Sequence, residues 1–566
     1  MKKVLLILLA IIVVLLIAVW RYLQPPAAPD SQAFLNATVL TMDADNSEAQ
    51  AVYVEKGVIK NIGNNTEIKS LITEDTIIYD LQGKTLLPGF IDAHGHFPAS
   101  GLAELGVDLN SPPIGTVENI DQLLERLQAK AAVTPAGEWV FGFGYDDTSL
   151  AEQRHPHKDE LDKALPDHPI FLSHISGHMA VTNSAGLAIG NIDENTPDPV
   201  GGVIVKDANG KLTGLLEEEA ALPMQIVAMD ISPTGFLEMV RSASAEYAAY
   251  GVTTAQSGAV SSKFAQGIKL ASMLNLIPQK LELWPLFNEW GDMLLQGESD
   301  ADSFESDRVN VGAVKIIADG SIQGFTGYLS QPYHEPYHGD ESYRGYPRVP
   351  LDELTDWVVK FSKAGYQLAI HGNGDASIDD IITAVAMARG AAPDKDPRTI
   401  LIHAQMARED QLLRMKSLNI TPSFFSAHTY YWGDRHSQIF MGPERAARMS
   451  PTASAKAIGL PYSVHLDTPV TPMRPLIAVW ATANRLSTGG NVIGAEQRVP
   501  VIDALRAVTI DAAWQIFKDG ETGSIEVGKA ADLVVLDSNP LLSPATVKDI
   551  AVSATFVDGV QIFSAE

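Results

Sequence analysis

Six side chains able to hold a metal ion stand in or at the ends of short apolar runs. His94 and His96 close LLPGFIDAHGH, His371 closes YQLAIH, His403 closes TILIH and Asp467 closes PYSVHLD. Lys315 interrupts VGAVKIIADGS, where an amine in an apolar strand needs a reason. Residues i and i+2 of a strand point to one face, so the His94 and His96 imidazoles can reach a single ion. Singly, each residue has an ordinary explanation: H-x-H arises by chance, a lone buried histidine is usually just hydrogen-bonded, and Asp before Thr-Pro is a common turn or cap. Jointly they do not, because independent structural histidines have no reason to share the ends of successive strands. Imidazole and carboxylate ligands without thiols suit Zn²⁺ or a neighbouring divalent metal, as one or two ions in a site open to water. Water on such an ion has a pKa near ~7 in place of about 15.7, which supplies hydroxide at neutral pH.

Those residues need a scaffold that brings strand ends together. Eight apolar runs, at 90–96, 252–257, 281–287, 311–317, 367–371, 400–403, 421–425 and 462–467, are mostly separated by helical patterns such as LDELTDWVVKFSKAG and IDDIITAVAMARGAA. This alternation predicts βα units around a parallel sheet, and eight strands make an α/β TIM (β/α)8 barrel with its active site at the C-terminal strand ends. The stretch at 99–239 is too long for one crossover and holds strand-like pieces of its own, so it reads as a lobe inserted after the first strand. At the two ends, 33–88 and 520–566 carry short strands and turns, with hairpin signals at Glu55-Lys56-Gly57 and Val557-Asp558-Gly559-Val560. These ends are expected to pair into one small β domain flanking a barrel domain at 89–519.

Some further residues belong to the expected mouth of the barrel. His178, Phe143 and Tyr145 lie in the inserted lobe, which can cover that mouth, and Tyr430, Tyr431 and Trp432 follow the seventh strand. His178 is a candidate substrate or oxyanion contact. The aromatics form an apolar substrate wall, or else pack lobe against barrel. Glu217, Glu218 and Glu219 read as a solvated helix start, and Asp319-Gly320-Ser321 as the turn after the fourth strand. His155, His157, His334, His338 and His436 lie in polar, loop-like stretches and receive no role.

Composition narrows the partners. The 566 residues hold 41 Lys plus Arg against 69 Asp plus Glu, a formal charge of −28 that repels nucleic-acid phosphates. With 46% hydrophobic and 19% charged residues the chain can bury a sizeable core, and the absence of Cys excludes disulfides and thiolate sites. Residues 1–30 stand apart. Lys2 and Lys3 precede an apolar run at 4–20, 17 residues or about 25 Å of helix, which Arg21 closes. The run exceeds the usual h-region of about 7–15 residues and lacks an A-x-A-like site, so it reads as an uncleaved membrane anchor, with a cleaved signal as the alternative. Either way the body is exported: it is held at the inner membrane facing the periplasm or extracytoplasmic space, or is free in the periplasm if the segment is cleaved.

LLPGFIDAHGH, VKIIADGS, AIHGNGD, LIHAQ and HLDTPV, in that order, resemble the metal-dependent amidohydrolase superfamily. TYYWGDRHSQIFMGPERAARMSP, SGHMAVTNSAGL and GSIEVGKAADLVVLD look like its branch containing N-substituted formamide deformylase, and the resemblance spans about 33–563. It implies a distorted TIM barrel with a composite β-sandwich built from both ends. It further implies that His94, His96, His371 and His403 are ligands, that Asp467 is both ligand and proton shuttle, and that Lys315 is a carboxylated lysine bridging two metals. His465-Leu466 departs from the small residue expected before Asp467. The implied activity is hydrolysis of non-peptide carbon–nitrogen bonds in a small-molecule amide, by attack of metal-bound hydroxide on an N-substituted amide or formamide. A cyclic amide, carbamate or ester hydrolase is the alternative within enzymes, and a non-catalytic membrane-tethered binding protein the alternative outside them.

Overall fold

The computed structural model describes residues 26–392 and 397–565. The apolar run at 4–20 lies outside the described residues, among which no helix is long and apolar enough to cross a membrane.

Two sheets are parallel throughout. One has the order Val309–Val311, Lys280–Pro285, Val252–Val260, Phe90–Ile91. The other runs Val314–Ile317, Leu368–Gly372, Thr399–His403, Ile420–Phe424, Ser463–Val464. A parallel bridge between Leu286 and Lys315 joins them on one side. On the other side Asp467 N–H donates to His94 O at 3.1 Å and His96 N–H to Thr468 O at 2.8 Å. First and last strands are thereby linked through the very residues that close them.

Amphipathic helices cover the outside. Leu351–Ala364 buries Leu354, Val358 and Phe361, carries Asp352 and Glu353 in its first turn and Lys363 in its last, and stops at left-handed Gly365 (φ 90°). Strand alternation then sorts the faces. Leu368 and Ile370 pack outward in the large core shared with those helices, whereas Ala369 joins Ile91, Ala93, Trp284, Ala313, Ile400 and Ile402 in a separate inner cluster.

The expected strands are shorter at three places. The run at 90–96 is a strand only over Phe90–Ile91, so His94 and His96 sit in the turn that follows. Their convergence is a property of this turn, not of i, i+2 alternation. The run at 311–317 breaks into Val309–Val311 and Val314–Ile317 at Gly312, where a Cβ would press on Glu282 and Trp284. The run at 462–467 keeps only Ser463–Val464, because Asp467 takes a left-handed φ of 55°.

Residues from the long insertion build a six-stranded sheet, ordered Gly202–Lys206, Leu212–Glu218, Met179–Thr182, Ile170–His174, Val140–Tyr145, Val107–Asp108. Helix Pro233–Ala249 runs unbroken through residue 239 and sends Val240, Ala243 and Tyr247 into the large core. Both chain ends meet in another six-stranded sheet, ordered Val560–Ser564, Val552–Val557, Leu533–Leu536, Thr85–Pro88, Thr38–Leu40, Glu48–Ala49. The two expected hairpins are present, with positive φ at Lys56 (46°), Gly57 (78°), Asp558 (48°) and Gly559 (72°). The turns touch: a Cβ on Gly57 would strike the Asp558 carbonyl.

Candidate active site

The six candidate ligands converge. His94 Nε2 and His96 Nε2 lie 3.4 and 3.2 Å from Asp467 Oδ1, Lys315 Nζ lies 3.0 Å from His94 Nε2, and His403 Nε2 lies 3.1 Å from His371 Nδ1. Asp467 Oδ2 is 3.9 Å from His403 Nε2, tying the two groups together.

Each position has a local cause. The Gln256 Oε1 atom accepts from Gly95 N–H (2.8 Å) and faces His94 Nδ1 (3.0 Å), which locks the turn holding the first pair. Gly95 is needed there because a Cβ would run into the Asp92 carboxylate. Trp284 stacks on the His94 ring at 5.7 Å. Lys315 follows strand alternation: Val314 and Ile316 face the outer core, and Lys315 shares the inner face with Ala313. His403 breaks alternation. Ile400 and Ile402 face inward, so a regular strand would turn His403 outward, but its left-handed φ of 69° brings the ring in against His371. Such a conformation is costly for a non-glycine residue and clusters at functional sites.

Every imidazole has its second nitrogen engaged. His94 Nδ1 faces Gln256 Oε1, His96 Nδ1 faces Gly258 O at 3.1 Å, His371 Nε2 faces Gly320 O at 3.1 Å, and His403 Nδ1 faces His465 Nε2 at 3.0 Å. With those nitrogens donating, the four lone pairs point to the centre. Burial, with Lys315 nearby, holds His94 well below the usual imidazole range, and burial does the same for His371 and His403. The rings are therefore neutral donors. Burial alone would raise the Asp467 carboxyl, but the closeness of His96, His403 and His94 outweighs it and holds it well below its ordinary value. Burial pushes the Lys315 amine down to about 7.

The remaining expectations divide. His178 reaches the centre: its ring lies 5.1 Å from that of His371. Trp432 stands one ring further out, 6.4 Å from Phe425, which is itself 6.1 Å from His403. Tyr430 packs instead on Trp480 and on Tyr431, and Phe143 stacks on Phe141 within the lobe sheet. Tyr145 is fully buried, with its hydroxyl on His155 Nδ1 at 3.1 Å. Contacts of Phe143, Tyr145, Tyr430 and Tyr431 are thus with lobe and flanking side chains and do not include the six central residues. Phe143 and Tyr145 pack within the lobe, and Tyr430 and Tyr431 pack on the barrel side.

Two readings of acidic residues are corrected. Glu217 and Glu218 are no solvated helix start: they end strand Leu212–Glu218 at 2% and 3% exposure. Glu217 accepts from the Tyr337 and Tyr346 hydroxyls, and Glu218 Oε2 lies 2.8 Å from His178 Nδ1. Asp319 is more than a turn residue. It is fully buried and accepts from the backbone N–H groups of Asn373, Gly374 and Tyr328, while burial raises it to about 7. His436, given no role, is also buried, and burial takes it down to about 3. Gln256, Phe425 and His428, whose ring lies 6.5 Å from that of His403, belong to the site without being readable in the sequence; a glutamine inside an apolar strand was the one available signal.

A second group of candidate ligands, Asp146, Asp147 and His174, lies between lobe and barrel. Its polar atoms are already matched: Asp146 takes Arg435 at 2.7 Å and Trp432 Nε1 at 2.9 Å, and Asp147 faces His174 Nε2 at 3.1 Å.

The sequence matches the family described as the amidohydrolase family over residues 78–563. The chain belongs to the amidohydrolase family. N-substituted formamide deformylase of Arthrobacter pascens is 32% identical over 535 residues, covering 93% of this chain and 97% of that protein. The putative amidohydrolase YtcJ of Bacillus subtilis (strain 168) is 28% identical over 540 residues, covering 93% and 98%. The structure of an uncharacterized metal-dependent hydrolase from Pyrococcus horikoshii OT3 shares the fold, with a TM-score of 0.72 at 23% identity, covering 91% of this chain and 99% of that one. Membership of that family makes it a hydrolase acting on carbon–nitrogen bonds.

Proposed function

We propose that this amidohydrolase cleaves N-substituted amides, formamides foremost, at a divalent-metal centre held by His94, His96, His371, His403, Asp467 and Lys315. One observation carries the reading: four imidazoles, three of them buried and His96 partly exposed, aim lone pairs at one place while their opposite nitrogens are occupied. The donor set fits a metal. Ligands about 2.0–2.1 Å from a tetrahedral ion stand about 3.3 Å apart, and the two histidine nitrogens lie 3.4 and 3.2 Å from Asp467 Oδ1. That oxygen is buried without a hydrogen-bond partner, a costly arrangement unless a cation satisfies it. All ligands are nitrogen or oxygen, so Zn²⁺ is the ion proposed.

A Zn²⁺ ion there supplies Lewis acidity toward the scissile carbonyl and acidifies a water to a pKa near ~7. The protein's share is proton handling and orientation. Asp467, ionised and facing both halves of the centre, accepts the proton of the attacking water at a carboxylate oxygen and returns it to the departing nitrogen. His178, brought by the lobe, contacts the substrate. Lys315, neutral at the upper side of neutrality, can add through Nζ to carbon dioxide; a C–N bond forms, one proton leaves, and the carbamate oxygens would then serve as metal ligands beside His94. Phe425 and Trp432 offer the apolar face for the nitrogen substituent.

The scaffold proposed is a distorted (β/α)8 barrel of the parallel strands, with Val309–Val311 and Val314–Ile317 counting as one broken strand, the mixed sheets of both chain ends as a composite β-sandwich and the insertion as a lobe. The body is proposed to work outside the cytoplasm, on the strength of the N-terminal sequence. The relative that acts on N-substituted formamides supports the substrate class. A panel of formamides, acyl amines, hydantoins and esters offered to metal-reconstituted enzyme tests it. Formamides are expected to have the highest kcat/KM, and a preference for hydantoins or esters would overturn the assignment.

A further inference from the structure

We propose that the lobe's His178 accepts a hydrogen bond from the N–H of the scissile amide, and that Glu218 is the positioning residue that makes this possible. The inference rests on the amide reading above. It selects substrates whose reacting nitrogen carries a hydrogen and disfavours N,N-disubstituted amides.

Glu218 and His178 are joined twice. Glu218 N–H donates to His178 O at 2.7 Å, and His178 Nδ1 lies 2.8 Å from Glu218 Oε2. The carboxylate is buried, and Glu218 takes a left-handed φ of 49° that directs it at this contact. Arg348 fixes the carboxylate from behind, with Nη1 3.4 Å from the same oxygen and Nε on Glu219 Oε1 at 2.7 Å.

A carboxylate can only accept, so His178 must donate from Nδ1, and its neutral form then carries the lone pair on Nε2. That nitrogen has no hydrogen-bond partner among the described residues, and the ring sits beside His371. A fixed acceptor at the edge of a hydrolytic centre complements an amide N–H. An ester or a tertiary amide offers no hydrogen there and leaves the acceptor unpaired, which is the strongest form of discrimination a site can make. Gly320 completes the arrangement: its carbonyl faces His371 Nε2, and a side chain on it would collide with Glu218 and Thr326. One glycine thus serves the metal side and the lobe side together.

The test is a ratio of kcat/KM for an N-monoalkyl formamide to that for its N-methylated counterpart, measured on one metal-loaded preparation. A ratio cancels the active fraction, so partial unfolding or metal loss does not move it. Wild type is expected to favour the monoalkyl substrate, with His178→Ala lowering the ratio roughly 10- to 100-fold. Glu218→Gln, which keeps shape but loses charge, should lower it too, and the double variant should fall no further than His178→Ala. Ratios unchanged in His178→Ala, or losses that multiply in the double variant, would overturn the proposal. Turnover of both amides by wild type with no preference would overturn it alone. Turnover of neither would overturn the amide reading with it.

Discussion

Nδ1 of His403 lies 3.0 Å from Nε2 of His465, and both rings are buried. His465 passes the contact on, its Nδ1 lying 2.9 Å from Ser423 Oγ. Burial takes His465 down to about 3, so it stays neutral and accepts from His403. The residue that departs from the expected small side chain before Asp467 is therefore a support for the His403 ring, fixing which nitrogen faces the centre.

Removing that support should loosen the metal. His465→Ala is expected to weaken metal binding roughly 10- to 100-fold, with much of kcat recovered at saturating metal. Competition against a chromophoric chelator measures it, and an unchanged affinity would reduce His465 to a space-filling ring.

Asp467→Asn separates the two duties assigned to this carboxylate. The amide keeps an oxygen toward His94 and His96 but cannot take a proton, so kcat should fall by about 10²–10⁴ while most metal is retained. Steady-state kinetics beside metal analysis of the same sample decides. Near-normal kcat would hand proton transfer to another group.

How far the sequence led depends on what kind of feature is asked about. Parallel strands left apolar runs broken by few polar residues, so Lys315, His371, His403 and Asp467 were readable as residues in or at the ends of those runs. Hairpins at Lys56-Gly57 and Asp558-Gly559 were readable because Gly, and Asp before it in the second, suit positive φ. What stayed hidden depends on long-range geometry. His403 enters the centre through a left-handed backbone that no local pattern announces. Glu218 sits in an acidic triplet that resembles solvated surface, and only its distant partners His178 and Arg348 explain its burial. Tyr145 and Tyr430 were legible as candidate wall or packing aromatics, but an aromatic's type does not say whether it faces a cavity or a neighbouring element.

Chelation should affect stability as well as turnover. Stripping the metal leaves buried lone pairs and an ionised Asp467 facing one another, and a ligand at 100 times its Kd contributes about 2.7 kcal/mol to folding. Chelated enzyme is expected to lose hydrolysis and several degrees of Tm, with both restored by Zn²⁺. Loss of activity at unchanged Tm would point to inhibition by the chelator itself.

Glu282 gives the stability profile a sign that can be worked out. It is buried on strand Lys280–Pro285, accepts from Asn310 Nδ2 at 2.7 Å, and is pushed up to about 8 by that burial. In the unfolded chain a glutamate titrates near about 4.3, so between there and 8 the folded state binds the extra proton. Its contribution is fully present below the lower value and is lost as pH rises through the upper one. Asp92, also raised to about 8, follows the same course, so wild type alone does not isolate Glu282. The difference between wild type and Glu282→Gln does. Near pH 4 the two should melt together, and with rising pH the variant should become the more stable, by a few kcal/mol at pH 8. Melting curves at intervals across that range measure it, and a difference independent of pH would mean that Glu282 is already ionised when folded.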